Sequence, residues 1–121
     1  MATIQASNGI VYVEPGACAH GVRACLKMWM QASGPTRFVR IAIARSKSQG
    51  DTDIEIMSSL GHELQHAIEV LREPKITNGV TMFNFFKRTA PTDNNRFETA
   101  EAVNMGHAIY DELRRASRLA R

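Results

Sequence analysis

The chain has 121 residues, 44% of them hydrophobic and 22% charged, with a formal net charge of +3. That is enough chain for one core and one domain over residues 1–121, and the basic residues form no dense stripe of the kind nucleic-acid binders carry. No stretch approaches the roughly 20 apolar residues of a membrane span, and the first residues show neither the basic nor the apolar region of an export signal.

Gly9-Ile-Val-Tyr-Val13 is a short β-branched and aromatic run that stops at Glu14-Pro15-Gly16, which predicts a strand ending in a turn. Cys18 and Cys25 flank a His-Gly turn at a spacing other than C-x-x-C. Such a pair points to a local disulfide, and with it to an oxidising compartment, secreted or periplasmic with any signal removed. Two free cytosolic thiols are the alternative. Cys25 to Met30 alternates weakly and leads into the turn cluster Ala32-Ser-Gly-Pro-Thr36, after which Arg37 to Ala44 reads as a strand. The chain up to residue 50 therefore predicts a hairpin within a small antiparallel sheet of about three strands, and the remainder is helical.

Gln49 to Asp53 opens the first long helix, with Thr52 and Glu55 at capping-box spacing. Ile54, Met57, Gly61, Leu64, Ile68 and Leu71 recur as one helical stripe, and Pro74 ends it. His62, His66 and Glu69 fall on a different face, roughly opposite. Thr77-Asn-Gly79 starts a short helix whose Met82, Phe83, Phe85 and Phe86 read as core. Thr89 to Asn95 reads as a loop, and a last helix is expected from about Arg96 to about Leu119. Its basic end, Arg114, Arg115, Arg118 and Arg121, suits the negative pole of the helix dipole. The fold class is α+β.

The residues that carry chemistry are His62-Glu63-Leu64-Gln65-His66, an H-E-x-x-H. Four residues apart on a helix, the two imidazoles can grip one metal ion, with Glu63 beside them as general base towards a metal-activated water. The bland reading is two surface histidines on an amphipathic helix, which the ordered glutamate between them disfavours. A catalytic zinc site needs a third protein ligand. Glu69 lies about 10 Å along the helix axis from His62 and suits a supporting role better than a ligand's. Glu98 shares its predicted face with Ala102, Met105, Ile109 and Leu113, where a charge is costly unless it binds a cation, whereas Glu101 falls nearer the polar edge with Glu112. Glu98 is the preferred third ligand.

Leu60-Gly-His-Glu-Leu-Gln-His-Ala-Ile-Glu69, followed by Phe97-Glu-Thr-Ala-Glu-Ala102, resembles the zincin metallopeptidases, and more narrowly the small gluzincin-like proteins of bacteria. The resemblance spans roughly residues 10 to 115. It implies a zincin-like domain holding Zn2+ on His62, His66 and Glu98, with Glu63 as the catalytic base and a sheet whose edge strand aligns a peptide or protein substrate. It departs from the larger gluzincins in having Ala102 where they carry an acidic residue. Their oxyanion-steadying histidine or tyrosine also lacks a clear counterpart. His107 and Tyr110 point away from the Glu98 face on an ideal helix, and Tyr12 and His20 are substitutes without a spacing argument. The expected function is that of a zinc peptidase, monomeric, with no nucleic-acid partner. The alternative is a metal- or partner-binding module with little turnover.

Overall fold

The computed structural model describes residues 9–18, 22–44, 53–89, 92–93 and 96–119. Strands β1 (Gly9–Pro15), β2 (Ala24–Leu26), β3 (Gln31–Ser33) and β4 (Thr36–Ile43) are followed by helices α1 (Asp53–Leu71) and α2 (Gly79–Thr89). The short strands β5 (Thr92–Asp93) and β6 (Arg96–Phe97) then lead into helix α3 (Ala100–Leu119). The arrangement is α+β, with a four-stranded sheet beside the helices.

The sheet is mixed rather than antiparallel. β4 is its centre, with β1 parallel along one edge and β2 and β3 antiparallel along the other. The β3–β4 hairpin turns through Gly34 and Pro35, and Gly34 takes a φ of 59°, which a residue without a Cβ adopts cheaply. β2 and β3 are two pieces of one edge, because residues 27–30 lie opposite only Val39 and Arg40. The surplus residues bulge: Trp29 is pushed into solvent while Met30 turns into the core. Hydrophobic alternation carries no record of strand partners, so the parallel pairing of β1 could not be read from it.

Alternation does set the faces of β4. Val39 and Ile41 are fully buried against Ala67, Val70 and Leu71 of α1, and α2 closes the core with Met82 and Phe86. Each such side chain contributes about 1.5–3 kcal/mol through burial. Phe85 is half-buried against this core, but Phe83 is exposed, so only part of the aromatic cluster of α2 packs. Arg37, also on the inner face, is 5% exposed and donates to the carbonyls of Leu71, Glu73 and Ile76. It satisfies the acceptors a helix end leaves open, and so ties the end of α1 to the sheet. Burial holds its pKa below the usual arginine value.

The buried stripe of α1 differs from the predicted one. Ile56, Glu63, Ala67 and Val70 are buried, while Met57 is 50% exposed. The helix is covered on two sides, by the sheet and by α3, so a single apolar stripe does not describe it. Two glycines let α1 and α3 approach closely. A Cβ on Gly61 would stand 2.1 Å from Ile109 Cδ1, and one on Gly106 would stand 3.3 Å from both His62 Cβ and the Ser58 carbonyl.

The last helix begins at Ala100, later than the sequence pattern suggests, since Arg96 and Phe97 pair with Asp93 and Thr92. Thr99 is its cap, accepting from the Ala102 N–H through its hydroxyl and from the Val103 N–H through its carbonyl. The expected cap of α1, Thr52, lies outside the described residues. Glu55 pairs with Arg23 at 3.0 Å. Cys18 and Cys25 form a disulfide, and no helix is long and apolar enough to cross a membrane among the described residues.

Candidate metal centre

α1 turns His62 and His66 one above the other, with ring centroids 4.9 Å apart, and carries both to the seam with α3. Glu98 reaches the same seam from the connection between β6 and α3. Its Oε2 stands 2.8 Å from His62 Nε2. One ligand atom from each of His62, His66 and Glu98 lies within 4.8 Å of the others, so the trio can hold a metal ion. Tetrahedral zinc with bonds of about 2.0–2.1 Å needs its donors roughly 3.3 Å apart. The His62–Glu98 pair is already tighter than that, and the widest pair of the group must close by up to about 1.5 Å. Two imidazoles and one carboxylate are also a donor set that zinc accepts.

Glu98 arrives here for a reason other than the one its sequence position suggested. It is not on a helix, and Met105, supposed to share its apolar face, is 40% exposed. What positions it is the cap: Thr99 fixes the start of α3, and the residue before it must then point back over α1.

Glu69 is a supporting group. Its Oε1 lies 3.0 Å from His66 Nδ1, and its Oε2 accepts a 2.6 Å hydrogen bond from the Thr99 hydroxyl. A carboxylate on Nδ1 fixes the orientation of the ring and leaves Nε2 as the donor towards a metal. The same carboxylate joins α1 to the cap of α3, so one residue sets the angle of His66 and the place of Glu98. Burial acts to raise the Glu69 pKa, yet the hydrogen bonds from His66 and Thr99, with the charges of His66 and Arg72, hold it below the usual glutamate value. Phe86 packs edge-on against His66 at 5.5 Å and supplies an apolar wall.

Glu63, beside the two histidines, also reaches the sheet. It is 9% exposed, and its Oε2 accepts from the Leu26 N–H of β2 at 3.1 Å. Burial pushes its pKa above the usual glutamate range, against the pull of His66, His62 and the Leu26 N–H, while neighbouring Glu98 adds to the rise. A buried carboxylate with an upward-shifted pKa, next to two imidazoles, is the kind of group that can take up and release a proton.

Beside His62 and Glu98 lies a cleft of about 420 Å³ walled by Arg23, Ser58, Ser59, Val103, His107 and Tyr110. His107 and Tyr110 thus stand in the cleft, contrary to the helical-wheel expectation. That expectation measured their angle from Glu98, which the wheel does not contain. Tyr12 is not among the cleft residues: it stacks on Phe38 at 6.0 Å and lies under Arg40, on the sheet. His20 lies outside the described residues. Thr99 and Arg23 were not singled out in the sequence. A threonine just before an apolar helix is a recognisable cap, but Arg23 carries no local signal. A larger hollow of about 590 Å³ lies between β1 and the start of α1, yet its mostly apolar walls include none of the three ligand residues. Of the two, the smaller cleft is the one that His62 and Glu98 line.

Comparison with protein-family models, with curated proteins and with solved structures finds no match to this chain.

Proposed function

We propose that this protein is a zinc-dependent peptidase of the gluzincin kind, acting on a peptide or protein substrate. The observation that carries the reading is the convergence of His62, His66 and Glu98 within 4.8 Å, one residue along the helix from a buried glutamate. His62, His66 and Glu98 would hold the ion, and Glu69 would orient His66. Zinc, when bound, supplies Lewis acidity that brings the pKa of a water to about 7 and polarises a carbonyl.

The remaining steps belong to the chain. Glu63 is held through Oε2 by Leu26, so Oε1 is the oxygen that takes the proton of the attacking water and returns it to the leaving amine. Tyr110 and His107, in the cleft wall, are the donors available to a developing oxyanion. β2 is an edge of the sheet directly beside the base, where an extended peptide can be aligned. The disulfide fits an oxidising compartment as the place of action.

One observation favours a second reading, a metal-binding module without turnover. Glu63 is bonded to a strand N–H, as a purely structural carboxylate would be. Metal analysis and peptide digestion of wild type and Glu63→Gln separate the two. The peptidase reading expects about one zinc per chain in both proteins, hydrolysis by wild type that chelation abolishes and zinc restores, and a loss of roughly 10²–10⁴-fold in the variant. A zinc-loaded wild type that leaves a broad peptide library intact overturns it in favour of the module.

A further inference from the structure

The cleft walls raise a question that the metal centre does not answer, namely what kind of group the cleft accepts. Once His62 and Glu98 are committed to the ion, the polar side chains left to meet a ligand are Arg23, Ser58, Ser59, His107 and Tyr110. Ser58 already donates its hydroxyl proton to the Glu55 carbonyl, but Ser59, His107 and Tyr110 can each present a donor, and Arg23 is a fixed cation. Among the described residues, Val103 is the one branched aliphatic side chain in the wall. A bulky apolar group would desolvate these donors without pairing them, at a cost. An anion would pair them.

Arg23 is also held where it can act. It immediately precedes β2, its carbonyl accepts from the Ala44 N–H at 2.9 Å, and Cys25, two residues on, is tied by the disulfide to Cys18. Its guanidinium meets Glu55 at 3.0 Å, and both side chains are about one-third exposed, at 38% and 31%. Glu55 therefore already presents to the guanidinium the chemistry that a ligand would bring.

We infer that the cleft recognises a carboxylate of the substrate through Arg23, with Glu55 as the internal carboxylate it competes against. The inference rests on the peptidase reading for the word substrate, though the binding it describes is independent of turnover. The planar guanidinium pairs with carboxylates through two parallel bonds, which a lysine ammonium cannot do. An acidic side chain near the scissile bond and the free C-terminus of a peptide present the same group, and the test distinguishes them.

Four alanine-based hexapeptides serve as probes, with a central Glu or Gln and a free or amidated C-terminus. Their dissociation constants are measured on zinc-loaded Glu63→Gln protein, in which turnover does not deplete them. At least one carboxylate should tighten binding about tenfold over the peptide that has neither. Tracking of that gain with the central Glu identifies a side-chain site, and tracking with the free terminus identifies a terminal one. Adding Arg23→Gln should erase the gain, and adding Glu55→Gln should enlarge it. These opposite signs are what a merely structural ion pair would not produce. Equal binding of all four peptides, binding of none, or a gain that survives Arg23→Gln overturns the inference. Digestion of the same peptides by wild type reads the parent proposal separately. Arg23-dependent binding without cleavage sinks only the peptidase, and cleavage indifferent to Arg23 sinks only the carboxylate site.

Discussion

Replacing Glu69 by alanine removes no proposed ligand, yet it should cost most of an order of magnitude or more in metal affinity. The carboxylate sits between two partners, His66 at 3.0 Å and Thr99 at 2.6 Å, and His66 is only 5% exposed. Without it, the Nδ1–H of His66 loses its acceptor in a place water barely reaches, a penalty of about 1–3 kcal/mol. The ring is then free to rotate about its χ angles, and Nε2 is no longer presented to the ion. Partners of this type typically change affinity about 10–100-fold, or roughly 1.4–2.8 kcal/mol, which is the same size as the penalty. Thr99→Val removes the other bond and the cap of α3, costing about 1 kcal/mol of stability and loosening Glu98. Zinc affinity measured by competition with a chelator checks both variants, and a double-mutant cycle should show that their effects are coupled. The carboxylate's contribution to the metal-free protein also has a definite pH dependence. Its folded pKa is lowered, so its stabilisation is present above the reference value of 4.5 and is lost as pH falls through the folded value. The melting-temperature gap between wild type and Glu69→Ala should therefore shrink in acid. Unchanged zinc affinity in Glu69→Ala refutes the reasoning, and so does a complete loss matching that of Glu98→Ala, which would make Glu69 a ligand.

Glu63→Gln should raise the melting temperature of the metal-free protein at neutral pH. The folded pKa of Glu63 is raised, so wild-type stability is full below 4.5 and falls as pH climbs through the folded value. The advantage of the variant must vanish in acid, and a pH-independent difference would contradict the assignment. Gly106→Ala should change stability by less than about 1 kcal/mol, because the helix preference it gains offsets the tight contacts with His62 and Ser58. Zinc affinity should nonetheless fall, and fall further in Gly106→Val, as chelator competition would record. Cys18→Ser with Cys25→Ser should lower stability by about 2–2.5 kcal/mol, the value for closing so short a loop, measured by denaturant unfolding against wild type.

Local signals in the sequence carried the elements but not their partners. The run Gly9–Val13, the turn at Gly34 and Pro35, the strand after it and the helix that ends before Pro74 are all present. Each depends on residues within a few positions of one another. The parallel place of β1 depends on which edge of β4 is open after β2 and β3 have taken the other, and no residue in β1 encodes that. The burial of α1 on two sides is equally a matter of packing. Its Gly61 reads as one more position of an apolar stripe, whereas in the fold it is the gap that admits Ile109.

The metal centre divides in the same way. His62 and His66 are adjacent because a helix makes residues four apart adjacent, so their pairing was legible from spacing alone. The sequence pattern puts Glu98 on the apolar face of the last helix, where a charge needs a cation, but the residue precedes that helix, and of the face Ala102 is buried while Met105 is exposed. The chain is extended through Phe97, and Ala100 is the first residue of α3. The selection still lands at the seam, because the physical constraint is broader than the geometry used to apply it. With Gly106 against His62 and Thr99 against Glu69, the segment before α3 lies over the histidine-bearing turns of α1, and Glu98 reaches back from it to His62. Glu69 shows the converse. Its distance from His62 along the axis argued for a supporting place, and its contacts with His66 and Thr99 fit one. Its role came from Thr99, thirty residues downstream, whose hydroxyl turns a cleft glutamate into the clasp between ligand and cap. A candidate metal site assembled from two segments is therefore legible in sequence where one helix supplies its histidines. The supporting hydrogen bonds become readable only once the second helix is seen to pack.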